Sequence, residues 1–135
     1  MHEPLVAIHD YYKAFSTLEL NACVPFFTVP CMFIGLQGTF AVANREDLAR
    51  VLGPTIEALK TKDYQRSEFL DPQLTTFTEN TVVVRGVAVR YRASGTELER
   101  VPVSYLVHQT GAAWKIAVVA SALSFMSAAS RRPTI

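Results

Sequence analysis

Four polar side chains on two neighbouring predicted strands could carry chemistry in this chain: Arg85, Tyr91, Ser104 and His108. An imidazole can donate or accept a proton near neutral pH, so His108 is a candidate acid or base. The alternative is a structural histidine bonded to backbone. Arg85 stands among valines, and an arginine that points inward needs an anion or several acceptors. It could grip a ligand carboxylate or neutralise an internal acid such as Glu68.

Tyr11 is the fifth candidate, on a predicted amphipathic helix over Leu5–Ser16 that starts after Pro4. The apolar stripe of this helix has helical spacing, and Tyr11 flanks it. Its phenol can serve as a hydrogen-bond donor to a ligand, or its ring can simply pack. Tyr11 and His108 are therefore the candidate catalytic residues.

Composition excludes several functions. The formal net charge is +1 and no basic stripe is present, which argues against nucleic-acid binding. Cys23 and Cys31 lack metal-ligand spacing, and no glycine-rich phosphate loop occurs. We therefore expect no metal and no cofactor. No apolar run approaches the length of a membrane span, and no signal peptide is visible, so we expect a cytoplasmic protein without membrane contact.

The elements that must position these residues follow the order helix, short helix, strand, helix and then long antiparallel strands. A short helical turn is predicted over Leu18–Val24, a strand over Val29–Leu36, and a helix capped by Asn44 that kinks near Leu52. This order predicts an α+β fold in which one strongly bent antiparallel sheet holds the N-terminal helices in its concave face. The expected domain spans 1–127, and 128–135 is expected to be a disordered tail.

The long strands are the clearest part of the pattern. Tyr64–Thr78 alternates, and Asp71-Pro72 within it indicates a bulge or an edge strand. Three further strands follow over Thr81–Phe125, with hairpins at Ser94-Gly95 and near Gly111. The last strand offers two possible inward sets, and the sequence does not choose between them: Trp114, Ile116 and Val118, or Lys115, Ala117 and Val119.

A two-residue loop at Ser94-Gly95 sets the register of the middle hairpin and pairs Arg92 with Glu97 and Arg90 with Glu99. One face of this hairpin is then a nearly continuous apolar patch, which we predict to face outward and to form a homodimer. Its residues are Val82, Val84, Val103, Tyr105 and Val107. The other face is predicted to point inward and to present Arg85, Tyr91, Ser104 and His108.

The chain resembles the nuclear-transport-factor-2-like superfamily, which includes ketosteroid isomerases and polyketide cyclases. The resemblance runs from about Leu5 to Ser121 and is carried by the helix around Asp10–Phe15, by Pro25-Phe26-Phe27, and by the segment from Gly111 to Ala117. It implies a cone-shaped α+β barrel with an internal pocket, and dimers through the outer sheet face.

The isomerase branch uses a carboxylate base and an oxyanion hole made of a tyrosine and a protonated aspartate. Tyr11 matches the tyrosine, but Ser104 stands in the region of the acid. The base would fall near Ile34, and no Asp or Glu occurs between Glu19 and Glu46. Isomerase chemistry of that kind is therefore not expected. Related epoxide hydrolase and dehydratase arrangements have no match either.

Together these features predict a homodimeric, cofactor-free pocket protein that binds a small, largely apolar molecule with a polar or anionic group. The predicted ligand-binding residues are Tyr11, Arg85, Tyr91, Ser104 and His108. Two alternatives stay open. The first is a lyase, isomerase or hydrolase in which His108 is the base and Tyr11 the acid. The second is a dimerisation or adaptor module whose pocket is filled by its own side chains.

Overall fold

A computed structural model describes residues 3–122 of the chain, and the predicted tail over 128–135 lies outside them. The described part contains three α-helices, one 3₁₀ turn (Val24–Phe26) and six strands. The helices are α1 (Glu3–Phe15), α2 (Leu20–Cys23) and α3 (Arg45–Leu59). The strands are β1 (Phe27–Gly35), β2 (Gly38–Val42), β3 (Tyr64–Thr78), β4 (Thr81–Arg92), β5 (Glu97–Thr110) and β6 (Ala113–Ser121).

The six strands form one curved, unclosed sheet in the order β2-β1-β6-β5-β4-β3. The expected α+β architecture, with helices on the concave face, is confirmed. The sheet is not wholly antiparallel, because β1 pairs with β6 in parallel. Strand β2 was not predicted, since it is short and starts at a glycine. Within residues 3–122, none of the helices has both the length and the apolarity needed to cross a membrane.

Local chemistry accounts for the start of α3 and for the buried face of α1, whereas α1 (Glu3–Phe15) and α2 (Leu20–Cys23) differ by one or two residues at each end from the predicted Leu5–Ser16 and Leu18–Val24. On α3 the Asn44 side chain accepts a hydrogen bond from the Asp47 backbone N–H at 2.9 Å, as an N-cap residue does. The helix then continues through Gly53 and Pro54 to Leu59. On α1 the buried side chains recur at helical spacing and face the sheet. They are Pro4, Ile8, Tyr11, Tyr12 and Phe15.

Strand β3 matches its predicted bounds and lies at the edge of the sheet. Its pairing with β4 shifts between Leu70 and Gln73, and Asp71 has a φ of 55° there. The bulge and the edge position expected from Asp71-Pro72 are thus both confirmed. Proline lacks an N–H donor, which is why the ladder gives way at this point.

The register of the β4–β5 hairpin is also largely confirmed. Arg90 pairs with Glu99, Arg85 with Ser104, and Val84 with Tyr105. Next to the loop the register shifts, so Tyr91 pairs with Glu97. The expected pairing of Arg92 with Glu97 is therefore wrong, because one extra residue enters the β5 side of the hairpin.

The assignment of the two hairpin faces is wrong. The residues predicted to face a second subunit are buried under the helices in this chain's own core: Val82, Val84, Val103, Tyr105 and Val107. Arg85 and His108, predicted to point inward, are exposed. Both faces carry valines, so periodicity alone could not separate them. The aromatic side chains of α1 decide the matter, because Tyr12 hydrogen-bonds Tyr105 across the interface.

Strand β6 resolves the question that its sequence left open. Its pairing with β5 shifts between Leu106 and Val107, so that Leu106 pairs with Val118 while Val107 pairs with Ile116. Ala117 is the extra residue, and the strand changes phase there. Ile116 and Val119 are consequently both buried in the core. Each of the two predicted inward sets is right for only part of the strand.

Candidate functional site

The residues predicted to form one site are divided by the sheet. Arg85 donates a hydrogen bond from Nη2 to Gln73 Oε1 at 2.8 Å on the outer face. His108 lies on the same face, with its Nδ1 3.0 Å from the Thr81 hydroxyl. Ser104 pairs with Arg85 in the ladder. The Tyr91 ring packs under the Arg66 guanidinium there, 4.4 Å from its centroid.

Tyr11 lies on the other side of the sheet, buried in the core with 6% of its surface exposed. Because the sheet separates Tyr11 from His108, the two side chains cannot act as acid and base on one substrate. The structure thus gives the inner and outer faces different chemistry, and each must be considered by itself.

The inner face carries a partly open cavity of about 50 Å³ between the helices and the sheet. A single water-sized probe occupies roughly 10–15 Å³, so the cavity has room for several waters. Its walls are mainly apolar, formed by side chains such as Phe15, Phe33, Leu52, Val103 and Val119. The polar groups are few: Tyr11, Tyr12, Thr55, Ser67, Arg90, Tyr105 and Ser121.

Three tyrosines form the inner wall. The hydroxyls of Tyr12 and Tyr105 are 2.7 Å apart and hydrogen-bonded, and the Tyr11 ring packs edge-on against both rings. Burial raises the pKa of Tyr11 and of Tyr12 well above the usual 10.0, with neighbouring groups adding to the effect. Burial also raises the pKa of Tyr105. All three phenols therefore stay protonated at neutral pH and can donate hydrogen bonds.

Arg90 supplies the positive charge of this cavity. Its side chain is only 12% exposed, and its guanidinium carbon is 5.5 Å from the centre of the Phe15 ring. Nη1 donates to the Glu99 carboxylate, whose side chain is 38% exposed. The charge of Arg90 lowers the pKa of each of the three tyrosines, against the larger effect of burial. Arg90 therefore acts electrostatically on the whole tyrosine wall.

A hydroxyl network fixes the end of α1 next to the cavity. The Ser16 hydroxyl donates to the Tyr12 carbonyl oxygen at 2.7 Å and accepts from the Ser67 backbone N–H at 2.9 Å. The hydroxyls of Ser67 and Tyr64 are 2.7 Å apart. These bonds connect α1 to β3 and hold both Tyr12 and Ser67 on the cavity wall.

The outer face carries a wider and shallower groove, with a volume of about 520 Å³. Its polar lining includes Asp71, Gln73, Arg85 and Ser104, and Val87 and Pro102 supply apolar surface. The sequence-predicted residues Arg85 and Ser104 thus meet in this groove and not beneath the helices. Among residues 3–122, no cluster of three or more His, Cys, Asp or Glu could hold a metal ion.

Sequence reasoning missed Arg90 as a site residue, although it identified the Arg90–Glu99 pair. The pairing and its register were correct, and only the face was reversed. The alternation along the strand places Arg90 on the same face as Val84 and Tyr105, but no local signal in the sequence shows that the helices cover this face.

Comparisons with known proteins agree with this architecture. A family model described as "NTF2-like protein (DUF6841)" matches residues 6–124. No curated protein matches the sequence. An NTF2-like protein with a cystatin-like fold from Novosphingobium aromaticivorans has a TM-score of 0.73 at 20% identity, covering 96% of this chain and 85% of that one.

Two further solved structures share the fold at low identity. A ketosteroid isomerase-like protein from Erwinia carotovora atroseptica has a TM-score of 0.61 at 12% identity, covering 89% of this chain and 92% of that one. A putative calcium/calmodulin dependent protein kinase II association domain from Xanthomonas campestris has a TM-score of 0.65 at 13% identity, covering 87% and 84%. Likenesses at this identity establish the fold alone. The family model spans most of the chain, and the chain therefore belongs to the NTF2-like family DUF6841.

Proposed function

We propose that this protein binds a small organic molecule in the inner cavity. The observation that carries the proposal is the position of Arg90 and three tyrosines around a space whose walls are mainly apolar. Small-molecule sites typically combine mostly apolar walls with a few convergent polar groups. The cavity volume of about 50 Å³ limits the enclosed part of the ligand to a few heavy atoms.

The test is ligand-observed NMR with a library of small carboxylates, phenols, alcohols and amides. Ala88 lines the cavity, and Ala88→Leu is expected to fill it and to abolish the saturation-transfer signals of bound compounds. Val87→Leu enlarges the neighbouring residue, which lines the outer groove, and is expected to leave these signals unchanged. Thermal melting of both variants establishes that they remain folded.

A substitution on the outer face distinguishes an inner binding site from an outer one. If ligand binds inside, Arg85→Gln leaves binding unchanged, because Arg85 is exposed and bonded to Gln73. Loss of binding in Arg85→Gln, with Ala88→Leu unaffected, would move the site to the outer groove. Absence of any Ala88→Leu-sensitive binding across the library would rule out the inner site.

A second candidate function is favoured by the small volume of the cavity. Tyr11, Tyr12, Tyr105 and Phe69 already occupy much of the space beneath α1, with ring centroids between adjacent members 5.4–6.4 Å apart. The domain is then an assembly or adaptor module whose interior is filled by its own side chains. One structural relative is named an association domain, which is consistent with this alternative.

Under either function the protein forms a homodimer through the outer sheet face. The residues that support this interface differ from those predicted from sequence. An apolar row crosses four strands on this face, since Met32 pairs with Val118, Val118 with Leu106, and Leu106 with Val83. All four side chains are half-buried in the single chain. A two-fold axis lets one such surface serve both subunits.

The proposed compartment is the cytoplasm. Cys23 and Cys31 are the two cysteines of the chain, and both are free and buried. Proteins of oxidising compartments more often use such residues in disulfides. Recovery of both thiols in the reduced form after rapid acid quenching of cells would support this location.

A further inference from the structure

We propose that Arg90 anchors the carboxylate of a short-chain organic acid, and that Glu99 occupies its place until the ligand displaces it. This inference rests on the proposed small-molecule site and names the class of ligand. Three features of the inner face support it: a buried cation, an anion that a ligand can replace, and a cavity of the size of a small acid.

The cation is held inside the protein. Only 12% of the Arg90 side chain is exposed, and its guanidinium lies over the Phe15 ring. A guanidinium in such surroundings requires an anionic partner, because an unpaired buried charge is costly. Arginine also carries five N–H donors in a planar fork, which matches the two oxygens of a carboxylate.

The internal anion is the more exposed member of the pair. Glu99 lies directly opposite Arg90 in the β4–β5 ladder, and its side chain is 38% exposed. A carboxylate at that exposure regains water at little cost when its partner is taken. The buried cation cannot do the same. An incoming carboxylate therefore exchanges with Glu99 while Arg90 stays in place.

The cavity sets the size of the acid. Its volume of about 50 Å³ has room for several waters, which corresponds to a carboxylate with a short alkyl chain. Phe33 and Leu52 supply apolar wall for the alkyl chain of the acid. The hydrogen bond between the Tyr12 and Tyr105 hydroxyls uses one of their two protons, so this pair has one O–H left to donate within the cavity. Tyr11, one of the ligand-binding residues predicted from the sequence, also lines the cavity.

The experiment measures propionate and propionamide binding to the full-length protein by calorimetry, in a chloride-free buffer at fixed sodium concentration. Propionamide has nearly the same shape without the charge. We expect propionate to bind roughly tenfold or more tightly than propionamide, because a hydrogen-bonded charge pair is lost in the amide. Equal affinity of the acid and the amide would overturn the carboxylate assignment and leave the cavity as a site for neutral ligands.

The two partners of the ion pair give opposite results. Arg90→Gln is expected to weaken propionate binding about tenfold or more. Glu99→Gln is expected to strengthen it several-fold, because the internal competitor is removed. A Glu99→Gln variant with unchanged or weaker propionate binding would disprove the displacement. Because the Glu99→Gln variant keeps Arg90, it tests the displacement of Glu99 even if Arg90→Gln does not fold.

Arg92→Gln is the matched control on the same strand. Arg92 donates to the Glu97 carbonyl oxygen at 2.8 Å, next to the hairpin loop and outside the cavity lining. Its replacement is expected to leave propionate binding unchanged. If no acid, amide or other small compound binds in an Ala88→Leu-sensitive manner, the proposed function fails as well. Binding of neutral compounds alone contradicts only the carboxylate assignment.

Discussion

Two arginines five positions apart on β4 have opposite environments. Arg85 is exposed and bonded to Gln73, while Arg90 is largely buried and paired with Glu99. Successive side chains of a strand alternate between its two faces, and the β4–β5 ladder is regular from Arg85 to Arg90, so these two residues lie on opposite faces. At the residue scale, the chemistry of this protein depends on which of these two arginines lies beneath the helices.

Gly86 shows how closely the inner face is packed. A Cβ atom at this position would lie 2.5 Å from Phe69 Cζ and 2.8 Å from the Leu70 carbonyl oxygen. We predict that Gly86→Ala lowers the free energy of unfolding by about 1–3 kcal/mol, the usual cost of overpacking a core. Denaturant unfolding followed by circular dichroism measures the change.

Gly53→Ala is the matched control for this prediction. Gly53 lies within α3, and a Cβ atom added there would have open space around it to a distance of 4 Å. Alanine is a better helix former than glycine, whereas the ring of Pro54 disfavours a Cβ on the helical residue before it, so the change is expected to alter the free energy of unfolding by no more than about 1 kcal/mol. A Gly86→Ala protein as stable as the Gly53→Ala protein would show that Phe69 moves aside freely.

At the scale of elements, the contact between α1 and the sheet is aromatic. Tyr11 and Tyr12 on the helix meet Tyr105 on β5, and Cys23 of α2 is buried near enough to raise the pKa of Tyr11 further. Burial in this interface disfavours the anionic forms of its tyrosines and of Cys23. Its stability must therefore depend on pH in the alkaline range.

We predict that the free energy of unfolding falls as the pH rises above about 9. Burial raises the pKa of Cys23 and of Cys31 from 9.0 to about 11, and it raises those of the three inner tyrosines above 10.0. When the pH lies between the pKa of a group in the unfolded chain and its higher pKa in the folded chain, the unfolded chain releases a proton that the folded chain retains. This difference favours unfolding. Guanidinium titrations from pH 7.5 to 11 measure the slope.

The tyrosines supply an independent signal for the same prediction. Tyrosinate absorbance at 295 nm should show Tyr11, Tyr12 and Tyr105 ionising together with the loss of native circular dichroism. Cys31→Ala removes one of the two thiols whose pKa is raised by burial. The free energy of unfolding should therefore fall less steeply with pH between pH 9 and 10. Titration of all five tyrosines near pH 10 in a protein that stays folded would contradict the buried aromatic interface.

At the scale of the molecule, the curved sheet separates two surfaces of different composition. The concave face holds the helices and the cavity, and the convex face presents the apolar row of Met32, Val118, Leu106 and Val83. We predict a dimer in sedimentation velocity at micromolar concentration. Leu106→Lys places a charge in the middle of the row and is expected to give a monomer.

Val6→Lys is the control for the dimer interface. Val6 is 51% exposed on α1, on the helical side of the sheet, and its replacement should leave the dimer intact. A wild-type monomer would disprove the interface. Retention of the dimer in Leu106→Lys would place the contact on another surface.

Several features were determined by local sequence. The cap at Asn44, the bulge at Asp71-Pro72 and the edge position of β3 all follow from residues close to one another in the chain. Side-chain capping and the missing N–H of proline act over a few residues, so their consequences can be deduced without the rest of the fold.

The direction of the sheet faces was decided only by tertiary structure. The alternation of side chains along a strand shows which of them share a face. From it, Arg90 was correctly placed on the same face as Val84 and Tyr105. The sequence contains no local signal for the side on which α1 lies, because valines line both faces. Packing of Tyr12 against Tyr105 selects that side, and this contact joins residues 93 positions apart in the chain. The candidate site moved from Arg85 to Arg90 for this reason.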